Sequence, residues 1–377
     1  MYPPGSINTL MAFSFYQIGP HPSRIPLESQ TEAVASFYET SGMAYPWTYP
    51  IFDLPPEILS EIFVHVFPEY PQALPLNGPF SPLVLCQICR SWRAVALSTP
   101  PLWRAMKADL WSGDSDSKIS KQLELFKLYL KRSGSCPLSV NLSHARKVTH
   151  RLVPQFLRAL AAHTTRWEHI DLLMPFEYMY LFLGRDMPLL RSLTFGPSNY
   201  PHGRGLPRLS TLFDSAPQLT HLILTHNFFK RVFGMPFAQL THIEADCLYV
   251  GECVEILREA PLLEVATFRM CQDIDQFAVL DPLRPASLIQ HHCLHHLAVG
   301  SYHDAIEPPN LRGFLECFAL PALRYLHIHE RCISLPSLSD FIARSKCDLG
   351  RLHIAGATLT ETVVREQLPP LGVITLE

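Results

Sequence analysis

An apolar pattern of the form L-x-x-L-x-L, where L is any apolar residue, recurs through the C-terminal two-thirds of this chain and narrows what it can fold into. The matches are Trp167–Leu172, Leu190–Phe195, Leu219–Leu224, Leu240–Ala245, Leu263–Phe268, Leu294–Val299, Leu323–Ile328 and Leu349–Ile354. Successive starts lie 23, 29, 21, 23, 31, 29 and 26 residues apart, straddling the period of about 20–29 residues that marks one class of α/β solenoid. Pro137–Leu142 is expected to start the series and Leu371–Leu376 to end it. Helix-like pieces fall between the strands, at Leu209–Ser215, Cys253–Glu259, Leu311–Phe318 and Leu338–Ser345. Proline-marked turns at Ala216-Pro217, Ala260-Pro261 and Leu320-Pro321 lead back into the next strand. A single strand-turn-helix unit cannot bury its own apolar face, whereas stacked units share one core. An asparagine-bearing turn after the strands is mostly missing, so the repeats are irregular.

The same pattern assigns faces. The last two apolar positions of each strand point inward, so the residues flanking them point outward. One outward column reads His169, Ser192, His221, His242, Val265, His296, Tyr325, Arg351. The other reads Asp171, Thr194, Ile223, Glu244, Thr267, Ala298, His327, His353. The register at Val265 is open, because Ala266 makes a poor core residue. His169, His221, His242, His296, Tyr325, His327, Arg351 and His353 are the candidate substrate-binding residues. Either these rings form a recognition surface for an acidic or pH-sensitive partner, or histidine is merely a tolerated polar residue on a solvated face.

Upstream of the repeats the character changes. Prolines and glycines interrupt every apolar grouping in residues 1–50, which read as a disordered tail, with a short helix possible over Glu28–Tyr38. A firm helix is expected from Pro55 at the first helical position, with Leu54 at the N-cap and Glu57 facing the positive helix end. Leu54, Ile58, Ile62 and Val66, with Leu59 and Phe63, give it a wide apolar stripe. Residues 68–82 hold five prolines and read as an irregular loop. A second helix opens with Ser81 as N-cap and Pro82 at N1, its apolar face being Leu85, Ile88, Cys89, Trp92, Val95 and Ala96. Ile119, Leu123, Phe126 and Leu130 mark another amphipathic helix. The expected divisions are 1–50, 51–110, 111–135 and 136–377.

Composition excludes several classes. A formal charge of -3 offers neither a basic footprint for nucleic acid nor a polybasic membrane signal. The ten cysteines run from Cys86 to Cys347 without paired spacing, which suits free thiols in a reducing compartment. No export signal or span-length apolar run is present, so the Asn141-Leu142-Ser143 sequon reads as chance and the expected location is cytoplasmic or nuclear. Cys86-x2-Cys89 and His291-His292-Cys293-Leu294-His295-His296 lack the spacing of a zinc site. Nucleophile-elbow, phosphate-loop and dinucleotide motifs are absent. No enzyme activity, metal or cofactor is expected.

Leu54-Pro55-Pro56-Glu57-Ile58-Leu59 with Ile62-Phe63, then Cys89-Arg90-Ser91-Trp92-Arg93, then Pro101-Leu102-Trp103, resembles the F-box, over about 50 residues. The loop from Pro68 to Pro82 is longer than that family's compact pattern. The resemblance implies an α/β chain in which a small N-terminal helical F-box precedes an irregular leucine-rich-repeat-like α/β solenoid. It implies docking on a Skp-type adaptor and, through it, on the cullin scaffold of a ubiquitin ligase, with the repeats presenting an unknown protein substrate. Adaptor-facing residues would be Leu54, Pro55, Ile58, Leu59, Ile62, Phe63, Val84, Ile88, Cys89, Trp92 and Trp103. The alternative is a repeat-based protein-binding scaffold that recruits no ligase, its helical apolar faces packing on each other and on the repeats.

Overall fold

In the computed structural model of the protein, the residues described are Ile51 and 54–110, 115–144, 151–198, 212–213, 215–225, 228–230, 232–271, 288–301, 312–332, 334–358, 360–368 and 372–376. The expected pieces at Glu28–Tyr38 and over most of Leu209–Ser215 lie outside them. The chain divides into two units, Met1–Leu54 and Pro55–Glu377, and all but two of the described residues belong to the second.

That second unit is mixed α/β, built on a 12-stranded sheet. Its strands are β1 (Leu74–Pro75), β2 (Ala105–Leu110), β3 (Leu138–His144), β4 (Trp167–Met174), β5 (Ser192–Pro197), β6 (His221–Leu224), β7 (His242–Tyr249) and β8 (Val265–Cys271). A two-residue strand β9 (Ile289–Gln290) then precedes β10 (His296–Ser301), and a two-residue β11 (Phe318–Ala319) precedes β12 (Tyr325–His329), β13 (Arg351–Ala355) and β14 (Val373–Leu376). Every neighbouring pair is parallel. Strand order follows chain order, except that β9 and β11 pair with each other in a small separate sheet. All the strands expected from the repeat are present.

Between strands run α1 (Pro56–Val66), α2 (Leu85–Ile88), α3 (Arg90–Leu97), α4 (Asp116–Arg132), α5 (Val153–Ala161), α6 (Val250–Glu259), α7 (Arg312–Glu316), α8 (Leu335–Ser345) and α9 (Glu361–Gln367), with several 3-10 turns. The first, fourth and sixth positions of every L-x-x-L-x-L unit are buried, from Trp167, Ile170 and Leu172 to Leu349, Leu352 and Ile354. Ala266 is as buried as its neighbours, and Val265 pairs with His242 and His296. The open register is thereby fixed, and Phe268, two residues on, is fully buried as well.

The prolines have a mechanical role. Pro188, Pro217, Pro261 and Pro321 each occupy the second position of a turn that the leading leucine closes. Leu190 N–H donates to Met187 O at 3.2 Å, Leu219 to Ala216 at 3.2 Å, Leu263 to Ala260 at 3.2 Å and Leu323 to Leu320 at 3.1 Å. Proline presets the φ angle for that position. The repeat leading into β10 has no such proline, and the side chain of His291 takes over. Its Nδ1 accepts from Leu294 N–H at 3.2 Å, which leaves Nε2–H to donate to Ala260 O at 2.8 Å. Burial lowers its pKa, in keeping with a neutral ring that stitches two repeats together.

The N-terminal part of this unit departs from expectation in three ways. Helix α1 takes Pro55 as its N-cap and starts at Pro56, one residue late. The helix expected from Ser81 onward is broken: a 3-10 turn over Pro82–Val84, capped by Ser81 Oγ, runs into α2, and Cys89 is extended (φ -153°, ψ 173°). Cys89 Sγ then accepts from Trp92 N–H at 3.4 Å, opening α3 afresh. The break lets Trp92 meet Phe63 of α1, ring centroids 4.9 Å apart, while Val95 and Ala96 are buried. Residues 68–82 also contribute edge strand β1, and residues 105–110 form β2. Both strands belong to the same compact unit as the repeats, residues 55–377.

The strand missed at β2 follows the same rule as the rest. Trp103-Arg-Ala-Met-Lys-Ala108 fits L-x-x-L-x-L, and Trp103, Met106 and Ala108 are all buried. Trp103 Nε1–H donates to the carbonyl of Ala96 at 2.8 Å, and Trp167 Nε1–H to that of Leu160 at 3.3 Å, both seven residues back. Trp103 is the leading residue of a repeat, as Trp167 is.

Candidate interaction surfaces

Two surfaces merit attention, and the first lies on α1–α3. Helix α1 turns Leu59 and Phe63 inward and leaves Ile58, Ile62 and Val66 outward, 50%, 36% and 64% exposed. Spaced by four residues, they form one stripe along the helix. Ile88 on α2 is 51% exposed, and Phe80, just before it, is open to solvent too. Adjacent large aliphatic side chains left outside a core mark contact surfaces more often than chance.

Of the residues assigned to the adaptor by resemblance, Pro55, Ile58, Ile62 and Ile88 are exposed, while Val84, Cys89 and Trp92 are half-buried. Leu59, Phe63 and Trp103 are buried and serve the packing of this unit. Leu54 closes the N-terminal unit. Val66 joins the stripe without having been assigned to the adaptor and was legible from the i+4 spacing; Phe80, also exposed and unassigned, stands in the loop and carried no signal.

The second surface is the outward face of the sheet. Strand register aligns the two columns as expected: His169, Ser192, His221, His242, Val265, His296, Tyr325 and Arg351 are successive partners, as are Asp171, Thr194, Ile223, Glu244, Thr267, Ala298, His327 and His353. All eight candidate substrate-binding residues thus share one face. Several meet as stacked rings: His221 on His242 at 4.2 Å, His296 on Tyr325 at 4.1 Å and His327 on His353 at 4.3 Å between centroids. Neighbouring strands about 4.8 Å apart bring same-column rings to stacking distance.

The face begins earlier than the repeat pattern indicated. Ser139 and Ala105 continue the His169 column and Asn141 and Lys107 the Asp171 column on β3 and β2, with Ser143 and Asp109 paired on the same face one pleat further along. Tyr70, from the proline-rich loop, lies edge-on to His169 at 5.6 Å, under the Arg104 guanidinium at 3.9 Å, and donates to Glu168 Oε2 at 2.8 Å. The loop therefore covers the first rungs. Burial lowers the pKa of His169 and His221, the latter also through His242 beside it, so both favour the neutral ring at neutral pH. Among the described residues no cluster of histidine, cysteine and carboxylate could hold a metal ion, no helix is long and apolar enough to cross a membrane, and the cysteines are free thiols.

Asp171 is the most perturbed acid of this face. Burial pushes its carboxyl from an ordinary 3.8 up to about 6, with Lys107 opposing and Asp109 adding to the rise. Asn141 Nδ2–H donates to it, while Asn141 Oδ1 is buried without a donor among the described residues. A raised carboxylate pKa means stability present below about pH 4 and lost as pH rises through about 6. Asp171→Asn is expected to remove that loss and to raise stability at neutral pH by up to about 2 kcal/mol. Urea midpoints at about pH 4.5 and about pH 8 check it: the variant's advantage must grow with pH, and an advantage that is flat or shrinking would refute the assignment.

No protein-family model matches this chain, and no curated protein matches it.

Proposed function

We propose that the chain is a substrate receptor of a Skp-cullin-F-box-type ubiquitin ligase. It docks on the adaptor through α1–α3 and on its substrate through the ring-bearing face of the sheet. The observation that carries this reading is the exposed stripe Ile58–Ile62–Val66 with Ile88, on the same short segment whose sequence resembles the F-box. Burying several half-exposed aliphatic side chains against a partner yields on the order of 1–2 kcal/mol each, a sum that offsets part of the cost of association and leaves the remaining affinity to the rest of the interface. In this reading the chain makes and breaks no bonds. It raises the effective concentration of substrate lysines near a conjugating enzyme held elsewhere on the scaffold, in the cytoplasm or nucleus.

The test is a pull-down with a purified Skp-type adaptor. Wild type is expected to bind, and Ile58→Asp with Ile62→Asp to reduce binding about a hundredfold or more at unchanged melting temperature. Wild-type chain that ignores the adaptor would leave the alternative, a repeat scaffold with no ligase attached.

A further inference from the structure

The outward face of the sheet is electrostatically divided. Its described carboxylates, Asp109, Asp171, Glu244 and Asp246, all lie between β2 and β7. Glu244 and Asp246 hold Arg269 of β8 at 3.0 and 2.7 Å, and Asp109 holds Lys107 at 3.3 Å. From β10 to β13 the outward residues include His296, Tyr325, His327, His329, Arg351 and His353, and no described carboxylate stands among them. Arg351 is exposed and, unlike Arg269, meets no carboxylate among the described residues.

We propose that the β10–β13 half of this face binds an acidic, extended segment of a partner protein, with Arg351 and Tyr325 engaging its carboxylates and the imidazole of His296 supplying a further N–H donor. The inference rests on the reading of this face as the substrate surface, and is independent of adaptor docking. Three features carry it. A guanidinium presents a planar fork suited to carboxylate, and Arg351 meets no carboxylate among the described residues. The rings are held in place before any ligand arrives, because His296 stacks on Tyr325 and His327 on His353; preordering lowers the entropy lost on binding. The acids at the other end of the same face repel a second anion there, so the ligand's place along the sheet is fixed as well as its charge.

Protonation should strengthen the contact. Burial and then His295 keep His296 below the usual imidazole pKa, and a bound anion favours the charged ring. The ionisable groups around this half include Glu264, which faces His295 at 3.9 Å, Arg269 on β8, Arg324 entering β12, Asp348, which lines a cavity with His295 and Arg324, and Glu330 leaving β12. Glu330 is occupied by Thr358, whose Oγ1 donates to it at 2.7 Å. The β14 side offers Val373 and Thr375, which do not titrate.

The experiment is fluorescence anisotropy on the full chain with a labelled peptide alternating glutamate and serine, beside versions carrying glutamine or lysine in place of glutamate. Only the glutamate peptide should bind, at least about threefold tighter at pH 6 than at pH 8. Arg351→Glu should weaken it about tenfold, while the same charge change at Lys121, on the exposed side of α4, should leave it unaltered. Equal binding of the glutamine peptide, no binding of the glutamate peptide at either pH, or an indifferent Arg351→Glu would overturn the proposal. Binding that ignores pH would remove the imidazole from it. A chain that binds adaptor but not peptide refutes this inference alone; the reverse result refutes the ligase reading alone.

Discussion

Trp103→Ala is expected to cost about 4 kcal/mol of folding stability, a large share of what a chain of this kind has to lose. Trp103 is fully buried, meets Tyr129 of α4 edge-on at 4.9 Å between ring centroids, and donates to Ala96 O of α3. Tyr129 in turn lies within 2.7 Å of Ser81 Oγ. One indole therefore joins α3, α4 and the loop before α2. Trp103→Phe, which keeps a ring and loses the hydrogen bond, should cost about 1–2 kcal/mol. Denaturant unfolding of both variants measures this. Were Trp103 an adaptor contact, as the sequence resemblance implies, alanine would reduce adaptor binding and leave the unfolding midpoint where it is.

Leu59→Asp and Ile62→Asp should behave in opposite ways, although both residues sit in one helical stripe. Leu59 is 2% exposed, so aspartate there places a charge in the core with nothing to pair it, at a cost of several kcal/mol. Ile62 is partly open, and aspartate there should change stability by less than about 1 kcal/mol. Loss of adaptor binding in Leu59→Asp would thus report misfolding, whereas the same loss in Ile62→Asp would report contact. Circular dichroism melts beside the pull-down separate the two. Two variants equally stable would contradict the burial assigned to Leu59.

Much of this was legible from residues alone, because one short apolar spacing fixes strand position, inward faces and register together. His221 and His242, 21 residues apart in sequence, were expected to be neighbours and are stacked. Strand β2 was legible too, but its core positions end in Ala108, whose small side chain hides the pattern, and Trp103 was absorbed into another motif. The break at Cys89 was not legible: an apolar run at helical spacing continues through it, and only the packing of Trp92 on Phe63 demands a new helix axis. Nor was the position of Tyr70. Prolines mark the loop, but its docking on His169 and Arg104 joins residues far apart in the chain and depends on tertiary geometry. On α1, the spacing showed an apolar face wider than the neighbours could cover, without showing that Leu59 would be covered and Ile62 left out.

The strictly sequential order of strands has a consequence for synthesis. Each main-sheet strand pairs first with the strand made just before it, so an emerging segment finds its template already waiting at the ribosome exit. No strand of the main sheet has to hold open for a segment still untranslated, as the early strands of a Greek key must. The helical segment precedes the repeats and supplies strands β1 and β2 as the starting edge. A ribosome that stalls late would release a shorter stack with an intact beginning, able to reach the adaptor in the proposed reading while lacking the far rungs that carry Tyr325, Arg351 and His353.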